Sequence, residues 1–409
     1  MKLRLGLIIL FLPLISIYAQ EAGCTDPIAL NFNPLAEFNN GSCQYASTTY
    51  KPQLLFELPF QVRETSGLVS YNNLLWTHND SKHKAELYAL SPEDGKILKT
   101  IRVANAVNID WEEISRDEHH LYIGDIGNNS GNRRVFQIYK LPLSLLDLDS
   151  EADVFADTIN FSYPDQPEKS AYLNHNYDCE AFVVSGDWIY LFTKNWADGR
   201  TNLYRVPASK GVWQAEYVDS FDVNGLITGA DYQPETNQLV LVGYTNRTWL
   251  PYMWIMFDFR GNDFFSGNKR RINFTRLVTN QIEAVAFTEP GKVVITSERS
   301  KTAAARAFAI NTVNWVYSML LNLPADDESC NSKFEFVPTD NGYLLSFKSK
   351  RSDSFVVELF DTNSQRIFHQ AYSQNEKRKT FFLETGHDLK TAETLIIYNK
   401  KHIVRCQIR

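Results

Sequence analysis

Three glutamates recur at the start of similar segments and could together hold a metal ion. Glu112, Glu180 and Glu283 each open a short apolar strand, and Ser66 and Thr228 stand at the start of two further segments. Carboxylates that approach one another either take up protons or bind a cation. Calcium takes about six to eight oxygen ligands, so an oxygen ring suits it better than magnesium. We therefore predict a calcium site formed by Ser66, Glu112, Glu180, Thr228 and Glu283.

The alternative for these glutamates is structural. They could cap the turns that begin each strand, or accept hydrogen bonds from neighbouring backbone. Glu113 is adjacent to Glu112, and a slip of one residue turns a strand side chain to the other face, so Glu113 is the alternative at this position.

A second set of polar and aromatic residues lies in the loops that follow the strongly apolar strands. Such groups converging on a concave surface predict a ligand site. The set is His78, Asn79, Asp80, Asp125, Asn128, Lys194, Trp196, Tyr244 and Arg299. Asn and Asp also form ordinary turns, so about half of the set is expected to be structural. His78 beside Asp80 is a candidate general base, with a solvated loop histidine as the alternative.

The elements that must position these residues repeat along the chain. Segments of one form start at residues 66, 112, 180, 229 and 283, with steps of 46, 68, 49 and 54 residues. Four short strands per step of roughly 40–50 residues are typical of a β-propeller. The long step contains an insertion near residues 144–176. A single blade cannot bury both of its faces, so the units must stack around an axis and close.

Closure predicts the number of blades. A strand at residues 54–58 precedes the first repeat without a partner of its own. If it supplies the outer strand of the last blade, residues 52–324 form a five-bladed β-propeller in an all-β chain. A six-bladed ring with one degenerate blade is the alternative.

The first residues predict export. Lys2 and Arg4 precede an apolar run over residues 5–17 that ends near Ala19, which is typical of a cleaved signal peptide, here residues 1–19. The run is shorter than the about 20 residues that a membrane span needs. We expect a secreted or outer-surface protein without a membrane span in its mature form.

Five cysteines accompany this leader, and an oxidising compartment favours two disulfides and one odd thiol. Cys24 and Cys43 flank a Pro- and Asn-rich loop and are the pair that we expect first. Cys330 and Cys406 could clasp the last segment. Cys179 would then be a small buried residue within a strand.

The two ends of the mature chain resemble parts of proteins exported by type IX secretion. Residues 21–46 carry Gly23-Cys24-Thr25-Asp26-Pro27 and Gly41-Ser42-Cys43 and resemble a Cys-bounded module of such proteins. Residues 330–409 form short apolar strands and predict a small β-sandwich. The run Val357-Glu358-Leu359-Phe360-Asp361, a turn, then Gln365-Arg366-Ile367-Phe368 resembles the C-terminal sorting domain. That resemblance implies the type IX machinery as a partner, although Val337-Pro338-Thr339 departs from the usual Pro-Asn-Pro. An ordinary binding sandwich is the alternative.

Two resemblances concern the propeller. Ser66-Gly67-Leu68, Glu112 and the run Leu121-Tyr122-Ile123-Gly124-Asp125 are similar to the calcium-activated nucleotidase (apyrase) family. That similarity implies a five-bladed propeller with calcium held by Ser and Glu side chains, but the nucleotide-contacting residues of the family cannot be placed here. Asp110-Trp111-Glu112-Glu113-Ile114 and Trp76-Thr77-His78-Asn79-Asp80 also resemble a group of secreted bacterial propellers, which implies a fold and no reaction.

The composition and the absence of several motifs argue against some classes of function. The 409 residues are 44% hydrophobic and 13% aromatic, with 41 basic against 48 acidic residues, net −7. This argues against nucleic acid as a partner. The sequence contains no GxSxG, HExxH, phosphate-loop or CxxC motif, so those chemistries are unsupported.

Two hypotheses remain. One is an exported propeller that binds a small molecule, glycan or protein at its channel mouth, with calcium as a structural pin. The other is a calcium-dependent hydrolase of phosphoesters, nucleotides or lactones. The second also needs a water-activating base and an open coordination position, and the sequence does not decide whether the protein is an enzyme.

Overall fold

The computed structural model describes residues 21–33, 35–148, 152–169, 171–275, 277 and 281–316, together with seven strands between residues 334 and 407. The predicted leader, residues 1–19, lies outside the described residues, as does Cys330. Among the described residues, no helix is long and apolar enough to cross a membrane.

The described chain consists of short strands and four 3-10 helices. Up to residue 316 the strands are β1 (Ala22–Gly23), β2 (Phe38–Asn39), β3 (Thr48–Tyr50), β4 (Gln53–Glu57), β5 (Thr65–Tyr71), β6 (Leu74–Asn79), β7 (Glu86–Leu90), β8 (Ile97–Val103), β9 (Trp111–Arg116), β10 (His120–Asp125), β11 (Phe136–Pro142), β12 (Ala152–Val154), β13 (Asp157–Ser162), β14 (Cys179–Ser185), β15 (Trp188–Thr193), β16 (Thr201–Pro207), β17 (Gly211–Gln214), β18 (Glu216–Phe221), β19 (Leu226–Gln233), β20 (Gln238–Tyr244), β21 (Pro251–Phe257), β22 (Asn268–Phe274), β23 (Ile282–Glu289), β24 (Lys292–Ser297) and β25 (Arg306–Asn311). The 3-10 helices are Phe60–Val62, Leu143–Asp147, Pro234–Thr236 and Val313–Trp315.

Five sheets of four or five strands follow one another along these residues. Blade A contains β5–β8 and β12, blade B β9–β11, β13 and β17, blade C β14–β16 and β18, blade D β19–β22 and β3, and blade E β23–β25 and β4. The first strands β5, β9, β14, β19 and β23 contact one another in turn, and β23 contacts β5. This closed cycle of sheets is a β-propeller, so the predicted all-β propeller fold is confirmed. The count of five sheets applies to the described residues.

The N-terminal strand closes the ring in the manner that the sequence predicts. β4 pairs antiparallel with β25, with Leu54 opposite Phe308, and thus forms the outer strand of the last blade. Three blades also carry a fifth strand that the repeat did not predict: β12, β17 and β3 each add in parallel to the outer strand of a blade. Those three strands lie in connecting segments, where the four-strand period leaves no signal.

The core lies between neighbouring blades. Val242 and Ile255 of blade D, for example, share an apolar cluster with Val285 and Ile295 of blade E. Strands β20 and β24 are buried on both faces, so they are nearly continuous apolar runs rather than alternating ones. This packing explains why the second strand of each repeat is the most apolar segment of its unit.

The N-terminal module is cross-linked and docks on blade D. Cys24 and Cys43 form a disulfide, as predicted. Asn39 Nδ2 donates to Asn268 Oδ1 at 3.0 Å, and the Tyr45 hydroxyl donates to Asp26 Oδ2 at 2.6 Å. Cys179 is free and buried, as predicted, and Cys406 is disulfide-bonded.

The C-terminal segment forms two antiparallel sheets. Its strands are β26 (Phe334–Thr339), β27 (Gly342–Phe347), β28 (Phe355–Asp361), β29 (Arg366–Tyr372), β30 (Thr380–Glu384), β31 (Ala392–Tyr398) and β32 (Ile403–Gln407). One sheet has the order β26-β27-β30 and the other β29-β28-β31-β32. The described part of this segment is thus built of short strands, as the sequence predicts. Strand β26 includes Pro338 and lies at a sheet edge, where a proline is tolerated because it need not donate to a ladder.

Shortening Phe56 tests whether β4 holds the ring closed. Phe56 is 8% exposed and packs in a cluster with Leu58 and Leu68, whereas Leu54 on the same strand is 49% exposed. We expect Phe56→Ala to lower the free energy of unfolding by about 3 kcal/mol, because the side chain leaves a cavity. Leu54→Ala should cost less than about 1 kcal/mol. Urea unfolding of both variants measures the difference, and equal losses would contradict the closure.

Candidate functional site

A β-bulge interrupts the first strand of every blade. The pairing between first and second strands skips one residue each time, and the skipped residues are Gly67, Glu112, Glu180, Thr228 and Glu283. A bulge re-aims the side chain of its extra residue. Four members of the predicted metal set therefore occupy equivalent positions around the ring. In blade A the equivalent residue is Gly67 rather than Ser66, and Gly67 adopts a left-handed backbone with a φ of 64°.

The bulge also separates Glu112 from Glu113. Glu113 pairs with Gly124 in the ladder, while Glu112 stands in the bulge. Glu113 Oε1 accepts a hydrogen bond from Ile114 N at 3.0 Å, and Oε2 accepts one from Ala230 N at 2.8 Å. Because Ala230 belongs to blade D and Glu113 to blade B, this second bond crosses the centre of the ring. Nothing in the sequence indicates this role for Glu113, because Ala230 lies more than a hundred residues away.

The two predicted hydroxyl ligands tie neighbouring blades. Ser66 Oγ donates to Glu112 O at 2.7 Å, and Thr228 Oγ1 donates to Ile282 O at 2.5 Å. Each bond joins the first strand of one blade to the first strand of the next. The two hydroxyls therefore hold neighbouring blades together by donating to backbone, and each hydroxyl oxygen keeps lone pairs free.

Three carboxylates come together at one end of the channel. Carboxylate oxygens of Asp80, Asp110 and Glu112 all lie within 4.8 Å of one another. Asp80 follows β6, whereas Asp110 and Glu112 flank the start of β9. Gly127 lies against them, and a Cβ at that position would clash with the Glu112 and Asp110 carboxylates. Glu112 and Asp80 belong to the predicted site residues, and Asp110 is a new member.

Burial and mutual repulsion disfavour the ionised forms of this trio. Burial, then the charges of Asp80 and Glu180, raise the pKa of Glu112 well above its ordinary value. Burial, then Asp80 and Asp178, raise the pKa of Asp110 to about 7. Within the described residues, neither the Glu112 nor the Asp110 carboxylate accepts a hydrogen bond. The trio can therefore ionise fully only beside a cation.

A lysine inside the ring neutralises one of the predicted ligands. Lys194 Nζ donates to Glu180 Oε1 at 2.6 Å and to Oε2 at 2.5 Å. The ammonium also lies 5.0 Å from the ring centre of Trp196 and 5.4 Å from that of Tyr244. Burial alone would lower the pKa of Lys194, but Glu180 and the other acidic groups outweigh it and raise that pKa well above its ordinary value. Glu180, a predicted metal ligand, therefore already has a cationic partner inside the ring.

Two further carboxylates come from blade E. They lie at the same end of the channel as Asp80, Asp110 and Glu112, and we call this end the mouth. Glu283 is 7% exposed and accepts a hydrogen bond from Gln281 Nε2 at 3.1 Å. Burial, then the charges of Asp80 and Glu64, raise the pKa of Glu298 to about 8. Burial raises the pKa of Glu283 well above its ordinary value, with Lys194 opposing it. The mouth is thus a strongly acidic site around one buried ammonium.

Several predicted ligand-binding residues support the loops instead. Asn79 Oδ1 accepts from Glu64 N, Asp125 Oδ1 accepts from Asp110 N and pairs with Arg133, and Asn128 Nδ2 donates to Tyr177 O. The polar groups of these three side chains therefore form hydrogen bonds within and between the loops. Arg299 is exposed and lies over the Phe60 ring.

His78 is neither solvated nor placed as a general base. Its side chain is fully buried and packs edge-on against Trp111, with ring centres 5.5 Å apart. Burial lowers the pKa of His78 to about 4. The two-residue spacing from Asp80 gave no sign of this, because β6 ends at Asn79, so His78 lies in the strand and Asp80 in the loop that follows.

Comparisons with known proteins add no family. No family model matches the sequence, and no curated protein is similar to it. Among solved structures, an exo-β-1,3-galactanase from Phanerochaete chrysosporium matches with 8% identity, 90% of this chain, 97% of that chain and a TM-score of 0.40. Hydrazine synthase from Kuenenia stuttgartiensis matches with 11% identity, 88% and 97% coverage and a TM-score of 0.31. A quinoprotein alcohol dehydrogenase-like protein from Bacteroides thetaiotaomicron matches with 12% identity, 51% and 45% coverage and a TM-score of 0.29. Likeness at this level says nothing about activity.

Removing one partner of the buried Lys194–Glu180 ion pair should lower the free energy of unfolding far more than removing one partner of a surface pair. Lys194→Met leaves the Glu180 carboxylate buried without its partner, and we expect the free energy of unfolding to fall by about 3 kcal/mol. Lys292→Met removes the exposed pair with Glu289, joined at 2.8 Å, and should cost less than about 1 kcal/mol. Urea unfolding compares the two variants. A similar small loss in both would contradict the assigned pair.

Glu298 should make the metal-free protein less stable at alkaline pH. Its folded pKa of about 8 lies above the ordinary 4.5, so its contribution to stability is complete below about pH 4.5 and is lost as pH rises through about 8. In EDTA, Glu298→Gln should therefore reduce the loss of unfolding free energy between about pH 5.5 and about pH 9. Asp153→Asn is the control, because Arg102 lowers the pKa of Asp153 and that group titrates below this window. An unchanged pH profile in Glu298→Gln would refute the assignment.

Proposed function

We propose that this protein is an exported β-propeller that binds a ligand or partner at its acidic channel mouth, with calcium held at the base of that mouth. The observation that carries the proposal is the convergence of Asp80, Asp110 and Glu112 within 4.8 Å. These three buried or half-buried carboxylates repel one another, and neither Asp110 nor Glu112 accepts a hydrogen bond from the described residues that would offset the repulsion. A divalent cation removes it.

The donor set favours calcium. All three groups offer hard carboxylate oxygens, and three carboxylates can supply up to about six of the oxygens that calcium takes. Glu112 belongs to the ligand set that the sequence predicts, and Glu283 and Thr228 occupy the equivalent bulges elsewhere in the ring. Glu180 contributes less to this proposal, because both of its oxygens already accept hydrogen bonds from Lys194.

Export is supported by cysteine chemistry as well as by the predicted leader. The Cys24–Cys43 disulfide closes a module that has little core of its own, and Cys406 is also disulfide-bonded. Disulfides persist in oxidising compartments. We propose that the C-terminal sheets serve as a sorting domain for the type IX machinery, and that the propeller acts outside the cell or on its outer surface.

Calcium binding should be visible as a change in stability. Calcium binds the folded cluster and not the unfolded chain, so a hundredfold excess over the dissociation constant should add about 2.7 kcal/mol to the free energy of unfolding. We expect EDTA to lower the melting temperature and calcium to restore it. Asp110→Asn and Glu112→Gln should each abolish most of this response.

Glu289→Gln is the matched control, because Glu289 is exposed at the far end of β23. This variant should keep the full calcium response. Titration calorimetry measures calcium affinity directly, and nil metal content with an unchanged melting temperature in EDTA would overturn the proposal. Calcium-dependent turnover of a nucleotide, phosphoester or lactone would overturn the binding role in favour of a hydrolase.

A further inference from the structure

Trp249 is an exposed tryptophan held in an unfavourable backbone conformation at the rim of the mouth. It is 43% exposed and has a φ of 54°. Positive φ is an outlier for a bulky side chain and costs roughly 1–3 kcal/mol. Such strain persists only where the surroundings impose it, and it concentrates at ligand clamps.

A compact loop imposes this conformation. Trp249 N donates to Thr245 O at 2.9 Å, and Leu250 N donates to Thr245 Oγ1 at 3.0 Å. The Trp249 ring lies flat on Tyr244, with centres 4.7 Å apart and an interplanar angle of 21°. The loop therefore holds one indole in a fixed position while leaving much of it open to solvent.

Tyr244, on which Trp249 stacks, also contacts the ammonium group of Lys194 inside the mouth. Tyr244 is buried, and Lys194 Nζ lies 5.4 Å from its ring centre, held by the Glu180 carboxylate and the Trp196 ring. Aromatic faces attract ammonium and guanidinium groups because the ring quadrupole is negative there. The protein thus already binds one ammonium of its own between aromatic rings and a carboxylate.

The charge of the mouth favours another cation. Besides Glu180, five carboxylates surround it, and they are Asp80, Asp110, Glu112, Glu283 and Glu298. Calcium bound by Asp80, Asp110 and Glu112 supplies two positive charges against their three negative ones, so a surplus of negative charge remains even where Glu283 and Glu298 keep their protons. A surplus of this sign attracts cationic groups and repels phosphate and carboxylate ligands.

We propose that Trp249 is a ligand-binding residue that receives an organic cation, a guanidinium or ammonium group, at the rim of the acidic mouth. This inference rests on the proposed binding function and names the class of its ligand. The cation would lie on the open face of the indole with its charge directed towards the mouth carboxylates. A basic side chain of another protein and a free polyamine both offer this chemistry.

Saturation-transfer NMR on the calcium-loaded full chain tests the proposal with a matched pair of probes. N-acetyl-arginine amide carries the guanidinium, and N-acetyl-citrulline amide has nearly the same shape without the charge. We expect signal from the arginine probe and none from the citrulline probe. Trp249→Leu should lower the affinity for the arginine probe about fivefold, as expected for a partly desolvated cation–π contact. Trp249→Phe should keep most of that affinity.

Trp213→Leu is the control, because Trp213 lies on the outer strand β17 of blade B and should not change binding. Spermidine as a third probe separates the two sources of the cation: a stronger arginine signal indicates a protein side chain, and a stronger spermidine signal a polyamine. Equal binding of arginine and citrulline probes, no binding of either cation, or unchanged affinity in Trp249→Leu overturns the inference. Calcium affinity measured on the same samples tests the proposed calcium site independently of the Trp249 inference.

Discussion

Closure of the ring is the constraint on which the rest of this structure depends. A blade of four strands has two apolar faces, and only neighbouring blades can cover both of them. The pairing of β4 with β25 joins the two ends of the cycle, and the first strands then surround a common axis. Closure therefore forces the bulged residues Glu112, Glu180, Thr228 and Glu283 towards one another, although many residues separate them in the sequence.

The protein resolves the resulting repulsion in two different ways. At Glu180 an internal ammonium from Lys194 neutralises the carboxylate at 2.5 and 2.6 Å. At Asp80, Asp110 and Glu112, the carboxylates lie together with no described cation between them. Because a buried uncompensated charge is costly, the second arrangement suits the calcium site that we propose, whereas Glu180 already has its counter-charge in Lys194.

Polar contacts near the axis connect blades that apolar packing alone would leave free to slide. Ser66 and Thr228 each bond the backbone of the next blade. Glu113 reaches across the ring to Ala230. Buried carboxyl groups with fixed donors specify register more sharply than interchangeable aliphatic contacts do. The mouth can therefore carry strained loops such as that of Trp249, because the strands beneath it are held in place.

The sequence by itself determined the repeat, the propeller, the orphan strand that closes it, the Cys24–Cys43 pair and the buried Cys179. These features leave local signals: strand periodicity, an unpartnered apolar run, and cysteines around a coreless loop. It also placed Glu112, Glu180, Thr228 and Glu283 at equivalent positions. Only the tertiary structure decided that Gly67 rather than Ser66 is their fifth equivalent, that His78 is buried, and that Lys194 lies against Glu180. Each of these depends on where a bulge falls and on which loop meets which across the axis, and a linear pattern carries no information about contacts between distant blades.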